Sequence, residues 1–311
     1  MTQRPLRLGS RRSPMAVAQS RQVADLIAER TGCRVEIVGV TTQGDVSRAQ
    51  LTQIGGTGVF VSALRDALLG GEVDLAVHSL KDLPSGPAAG IVLAAVPPRE
   101  DPRDALVARD GAKLADLPVG ARIGTGSPRR AAQLLGLRGD LRCVPIRGNA
   151  GTRLLQVTEG GLEGVVLACA GLARIGQAGA ITQVFDPDEM LPAPGQGALA
   201  VECREGDPAL AALLATVNDE ASMAAAVAER SLLAALEAGC SAPVGGYAAG
   251  TEQLRMRAAV LSVDGTRALR VTGSAPAAEA RRLGRDLAAE LLRLGASDLV
   301  GGLTSSGNDV Q

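Results

Sequence analysis

The sequence predicts an α/β protein of two related lobes with mainly parallel sheets, followed by a third, α+β unit with a small antiparallel sheet. Three observations carry this. A short apolar strand, a glycine-containing loop and a Ser-Pro helix start occur at residues 6–14 and return at residues 121–128. A second repeat joins residues 73–77, ending in His78-Ser79, to residues 164–168, ending in Cys169-Ala170-Gly171. Finally, Asp264-Gly265 between two strand-like runs is a hairpin signal, which belongs to an antiparallel pair.

In chain order, residues 6–8 form a strand, and Gly9-Ser10-Arg11-Arg12 leads to Ser13-Pro14. Serine suits the N-cap and proline the first helical position, so a helix runs from there to about Glu29. A strand at 34–40 and a helix from about Val59 follow. The second lobe repeats the pattern, with Gly124-Thr125-Gly126 before Ser127-Pro128, a strand at 141–146 and a helix near Arg153. Apolar strands alternating with helices imply parallel sheets covered on both faces. Ligands then bind beyond the carboxyl ends of strands, where loops feed helix N-termini. Residues 97–102 and 191–197 read as crossovers, and residues 198–202 as a strand returning to the first sheet, giving hinged lobes around one cleft. Asp219 caps a helix to Ala238 stopped by Gly239, strands lie at 244–249, 254–263 and 267–272, and a helix at 277–294 closes the unit. The expected domains are 1–99 with 198–218, then 100–197, then 219–311.

A formal net charge of -1 and an aromatic content of 1% remove both the electrostatic and the stacking reasons to expect nucleic acid. The N-terminus has no signal-peptide core and no stretch approaches the roughly 20 apolar residues of a membrane span. The reading is a cytoplasmic chain with no membrane partner. Five cysteines without C-x-x-C spacing and a single histidine, His78, indicate neither a disulfide framework nor a metal site. Cys33, Cys143, Cys169 and Cys203 fall in apolar strand patterns, whereas Cys240 follows Gly239 at a helix end. A helix C-terminus raises a thiol's pKa, so Cys240 suits a permanent covalent anchor better than a turnover nucleophile.

Arginines and hydroxyls at helix N-termini make anion sites, because backbone N–H groups, the dipole and two-pronged guanidinium contacts all favour carboxylates. Either Ser-Pro start alone reads as simple capping, but its repetition, with Arg147-Gly148-Asn149-Ala150-Gly151-Thr152-Arg153 opening another helix, aims at least five arginines at one crevice. The ligand carries several carboxylates or phosphates. No Walker-type or dinucleotide glycine motif is present, so nucleotides rank low. Asp82, alone, reads as a turn former before Leu83-Pro84.

Taken together, His78-Ser79-Leu80-Lys81-Asp82-Leu83-Pro84, Gly124-Thr125-Gly126-Ser127-Pro128-Arg129-Arg130, the Arg147 loop, Pro194-Gly195-Gln196-Gly197 and Gly239-Cys240 resemble, in order, the motifs of the hydroxymethylbilane synthase (porphobilinogen deaminase) family. The resemblance implies two type-II periplasmic-binding-protein-like lobes and a third domain whose cysteine, here Cys240, holds a dipyrromethane cofactor through a thioether. It implies a monomeric transferase of porphyrin, tetrapyrrole and haem biosynthesis, which joins four porphobilinogen molecules to that cofactor and then releases the linear tetrapyrrole by hydrolysis. Asp82 is the matching catalytic residue. Ser13, Lys81, Asp82, Thr125, Ser127, Arg129, Arg130, Arg147 and Gly148 match cofactor-binding positions, and Arg11, Gln19, Ser79, Arg147, Arg153, Arg174 and Gln196 match substrate-binding ones. No metal is implied.

Thr57 and Ser62 replace lysines common in relatives, Ser241-Ala242 replaces a common Gln-Val pair, and Phe60 resembles a family aromatic or is a core residue of its helix. A non-catalytic anion-binding protein would explain the arginines but leaves Cys240 without a role. A thiol enzyme would have only His78 as a histidine base.

Overall fold

The computed structural model of the chain describes residues 4–40, 58–237 and 242–300. The first lobe begins with β1 (Leu6–Ser10), α1 (Pro14–Thr31), β2 (Val35–Gly39), α2 (Gly58–Leu69), β3 (Leu75–Ser79) and β4 (Ile91–Ala95). The second contains β5 (Asp104–Ala108), β6 (Arg122–Gly124), α3 (Pro128–Leu137), β7 (Arg142–Val144), α4 (Ala150–Thr158), β8 (Gly164–Ala168), α5 (Cys169–Arg174) and β9 (Gln183–Val184). Then come β10 (Leu199–Arg204), α6 (Pro208–Leu214), α7 (Glu220–Ala235), β11 (Val244–Ala249), β12 (Gln253–Leu261), β13 (Ala268–Pro276), α8 (Ala280–Arg293) and α9 (Ala296–Val300).

The repeat visible in sequence is a repeat of sheets. The first has the order β2-β1-β3-β10-β4 and the second β7-β6-β8-β5-β9. In each, three strands pair in parallel and the fourth position runs antiparallel, filled by β10 in one and β5 in the other. β10 is the returning strand expected after the second crossover. β4 and β5 are additions to the expected elements. Their short apolar runs adjoin the proline-rich crossover, whose turn signals mask the strand pattern on either side.

Ser13 caps α1 by accepting the Ala16 N–H at 3.2 Å, and Ser127 caps α3 by accepting the Arg130 N–H at 3.4 Å. Two cysteines lie outside the expected strands. Cys33 follows the turn after α1, its N–H donating to Thr31 Oγ1, and Cys169 opens α5. Burial continues from β8 into α5, so the apolar pattern alone does not mark where the strand stops. Helix α7 ends at Ala235 rather than Ala238.

The described chain forms two compact units, Met1–Glu100 with Ala198–Met223, and Asp101–Gly197 with Ala224–Gln311. The first has a core around Leu8, Ile27, Leu75 and Val201. In the second, Leu106, Ile123 and Phe185 lie in one cluster and Val107, Val165 and Leu172 in another, while Leu232, Met256 and Leu287 join α7 and α8 to the antiparallel sheet β11-β12-β13.

That sheet touches α3 through its hairpin. Gly265 has φ 73°, and a Cβ there would lie 2.3 Å from the Ala132 carbonyl oxygen. Only glycine meets both demands, so Gly265→Ala combines left-handed backbone strain with a clash against helix backbone. We expect a loss of about 2 to 4 kcal/mol, read as a lower denaturant midpoint with unchanged slope.

Candidate functional site: hydroxyls, carboxylates and arginines at helix starts

In the first unit, β3 delivers Ser79 to its carboxyl end, and a single 3-10 turn, Leu80–Asp82, follows. Leu80 and Leu83 are buried, the Leu80 N–H donates to Ala198 O at 3.0 Å and the Leu83 N–H to Leu80 O at 3.1 Å. These bonds fix the backbone that carries the half-buried Lys81 and Asp82. Across from β3, Gln19 of α1 is buried and its Nε2–H donates to Ser79 Oγ at 3.2 Å. Arg11 lies between β1 and the α1 cap, partly buried. The structure thus brings together Gln19 and Ser79, two residues distant in sequence.

Behind Ser79, the buried His78 and Glu202 meet the half-buried Arg65. Glu202 of β10 accepts from Arg65 Nε at 3.0 Å and Arg65 Nη2 at 2.7 Å, and its Oε2 lies 3.3 Å from His78 Nε2. Burial pushes the Glu202 carboxyl up, but His78 and Arg65 more than offset this and hold it at about 2, against an ordinary 4.5. The lone histidine therefore has a carboxylate partner inside the lobe. A depressed carboxylate contributes stability that is complete above its unfolded value and is lost as pH falls through its folded value. The stability gap between parent and Glu202→Gln should therefore be full at pH 6 and close between pH 4.5 and about 2, measured as melting temperature against pH.

In the second unit, Arg129, Arg130 and Gln196 converge on a residue not anticipated from sequence, Asp104, the first residue of β5. Asp104 is 0% exposed. Its Oδ2 accepts from Arg129 Nη1 at 2.8 Å, and its Oδ1 from Arg130 Nε at 2.9 Å and Gln196 Nε2 at 2.8 Å. Arg129 Nη1 also reaches Leu191 O, and Arg130 Nη1 reaches Val166 O. Gln196 is fully buried and spans Pro102 O, Asp104 and Arg130. Burial favours the neutral Asp104 carboxyl, yet the two guanidiniums hold it well below the carboxylate range. Burial also draws Arg129 below its ordinary value; Asp104 opposes that shift and the Arg130 charge adds to it. Asp104 opens an otherwise apolar run, Asp-Ala-Leu-Val-Ala, and a charge at the head of a buried strand is the signal that could have pointed to a cationic partner.

Thr125 is buried, and its Oγ1 accepts the Ser127 N–H at 3.2 Å, shaping the turn into α3. Arg147 and Gly148 are exposed before α4, whose cap is Asn149. Gly148 has φ 103°, which favours glycine, and its carbonyl accepts from Arg153 Nε at 2.9 Å. Arg174, ending α5, donates to Gly197 O at 3.0 Å. The Pro194-Gly195-Gln196-Gly197 loop is tied to α7, where buried Glu229 accepts from Gly195 N at 2.5 Å and Ala248 N at 2.8 Å. The arginines thus divide: Arg129 and Arg130 face inward onto Asp104, Arg153 and Arg174 hold loop carbonyls, and Arg147 is exposed. Cys240, Thr57 and Ser241 lie outside the described residues, as does the Phe60 side chain. Among the described residues no cluster of His, Cys, Asp and Glu could hold a metal ion.

Two duplicated α/β sheets thus carry hydroxyls, arginines and a carboxylate at their strand ends. A family model described as "Porphobilinogen deaminase, dipyromethane cofactor binding domain" matches residues 6–212, and one for the C-terminal domain of the same family matches residues 223–293. Porphobilinogen deaminase of Thermobifida fusca is 58% identical over 310 residues, covering 96% of this chain and 97% of the relative. Porphobilinogen deaminase 1 of Streptomyces coelicolor is 54% identical over 315 residues, with 97% and 99% covered. Among solved structures, the methionine binding protein MetQ is 12% identical at TM-score 0.45, covering 68% of this chain and 89% of that one. The chain belongs to the porphobilinogen deaminase family. It is a transferase that joins porphobilinogen molecules, with loss of ammonia, onto a dipyrromethane cofactor and releases hydroxymethylbilane.

The residues present fit such a cofactor. Its acidic side chains need cationic and N–H donors, and the second unit offers Arg129, whose Nε is buried without an acceptor, beside the α3 start.

Proposed function

We propose that Asp82 is the catalytic carboxylate, that Cys240 is the cofactor's covalent anchor, and that the named arginines and hydroxyls hold the acidic groups of cofactor and substrate. The observation that carries this reading is the carboxylate of Asp82 on a pinned turn at a strand's carboxyl end, beside Lys81 and the Gln19–Ser79 pair. When bound, the dipyrromethane supplies the pyrrole end onto which porphobilinogen units are joined. Asp82 stabilises the positive charge that develops as the aminomethyl group loses ammonia, and moves protons to the departing amine and from the newly joined carbon. Lys81, Ser79 and Gln19 orient acidic side chains in the first unit. In the second, Ser13's counterpart Ser127, with Thr125, Arg129 and Arg130, serves the cofactor, while Gly148 lets the loop bearing Arg147 turn into α4.

The assignment of Cys240 is supported by the other thiols. Burial raises Cys143 and Cys203, and pushes Cys169 up to about 12, with the Asp101 and Asp104 charges adding to that shift. Thiolate chemistry is disfavoured at all three. We place the protein in the cytoplasm as a monomer, with the domains 1–99 with 198–218, 100–197 and 219–311, and without nucleic-acid or membrane partners. In support, no single described helix is long and apolar enough to cross a membrane. Intact mass tests the core of the proposal: the purified chain should carry one dipyrrole, and an unmodified but active chain would refute it.

Arg147 and Arg153 flank the Gly148 turn, and the Arg153 Nε bond to Gly148 O sets its guanidinium over the loop. Replacing either by Leu should slow particular elongation steps by about tenfold to a hundredfold, the value of one charge-assisted hydrogen bond. Lysine should restore only part, since it keeps the charge without the fork. The measurement is the distribution of covalent masses after brief exposure to porphobilinogen.

A further inference from the structure

The Asp104 cluster does not balance its charge. One carboxylate faces two guanidiniums, and among the described residues it is the only carboxylate in hydrogen-bond or ion-pair contact with either. All three side chains are buried, Arg129 at 3% and Arg130 at 6% exposure. The surplus positive charge sits in the first turn of α3, where the helix dipole favours anions and disfavours cations. A buried, uncompensated charge is costly. The distribution of bonds says which guanidinium holds the surplus. Arg130 spends Nε and Nη2 on Asp104 Oδ1, Nη1 on Val166 O, and also reaches Gln196 Oε1. Arg129 gives only Nη1 to Asp104 and Leu191 O, and its Nε–H is buried with no acceptor.

We propose that Asp104 is a positioning residue that divides this charge: it neutralises and locks Arg130, and holds Arg129 by one nitrogen so that its remaining donors present one surplus positive charge to a single carboxylate of the bound pyrrole chain. Gln196 completes the lock, since its amide donates to the same Asp104 oxygen and accepts from Arg130. The idea rests on the reading of the α3 start as a cofactor site and refines it: Arg129 meets the ligand directly, whereas Arg130 serves the cofactor as scaffold, through Asp104.

The separating signature is the sign of the stability change. Arg129→Met removes the surplus and leaves a neutral Asp104–Arg130 pair, while Leu191 O keeps its bond from Gln133 Nε2. In a Cys240→Ser background, where no thioether forms, Arg129→Met should melt at or above the background temperature. With Cys240 present, the same change should lower the fraction of chains carrying the dipyrrole, by intact mass, about tenfold or more. Asp104→Asn should also lose loading, and Asp104→Glu should recover part of it. A melting temperature for Arg129→Met well below background, or Asp104→Asn chains loaded like the parent, would overturn the proposal. If Asp104→Asn shows no cooperative melt, the two Arg129→Met measurements decide alone. A parent without the adduct overturns the cofactor assignment and this inference together; a loaded parent with equally loaded variants overturns this inference only.

Discussion

Asp82→Asn should fold, carry its cofactor and turn over about a thousandfold more slowly than the parent, the equivalent of about 4 kcal/mol of transition-state stabilisation. Folding is expected to survive because the turn is held by its neighbours. Leu80 and Leu83 supply the buried contacts, and the ladder bond from Leu80 N to Ala198 O fixes the chain at the end of β3. Asparagine preserves the shape and removes only the negative charge. That charge has most effect where positive charge develops, so binding should suffer less than turnover. Asp82→Glu keeps the charge but shifts it by one methylene, and should retain some activity while enzyme-bound chains of intermediate length accumulate. The comparison requires steady-state consumption of porphobilinogen and the ladder of covalent masses from the same preparations. Near-parental turnover in Asp82→Asn would return Asp82 to the turn-forming role that Leu83-Pro84 suggests.

What was legible in the sequence was local chemistry that repeats. Ser13-Pro14 and Ser127-Pro128 are N-caps because a serine oxygen and a proline without an N–H suit the first helical turn, and both helices start there. Asp264-Gly265 marked its hairpin for the same reason. β4 and β5 were not legible, because five-residue strands beside a proline-rich crossover have no periodicity long enough to separate them from it. The loss of β5 mattered for the site. Without that strand there was no place for Asp104, and Arg129 and Arg130 looked like two equivalent ligand contacts. The structure shows instead that one carboxylate buried 25 and 26 residues upstream organises both.

The pairing of Gln19 with Ser79, and of Glu202 with His78 and Arg65, was likewise invisible, since each depends on sheet order. β10 reaches its place between β3 and β4 only after the chain has built the second lobe. Residue types at strand ends point to anion binding; which arginine is bonded to which protein group follows from the fold.

Cys240→Ser should abolish product formation completely, the largest effect expected of any single change in this chain, because an oxygen ether is not expected to replace the thioether. The altered chain should still fold. Cys240 follows α7 in sequence, and the buried Leu232 of that helix packs with Met256 and Leu287. Peptide mapping of the parent should place the dipyrrole on Cys240 alone. Cys143, Cys169 and Cys203 have thiols raised by burial, and Cys33 sits beside Thr31 in the turn that ends α1. An adduct on any of these four, or an active Cys240→Ser chain, would refute the anchor. An adduct on Cys240 in a chain whose Asp82→Asn form is loaded but slow would separate the two roles, attachment in the third domain and chemistry at the end of β3.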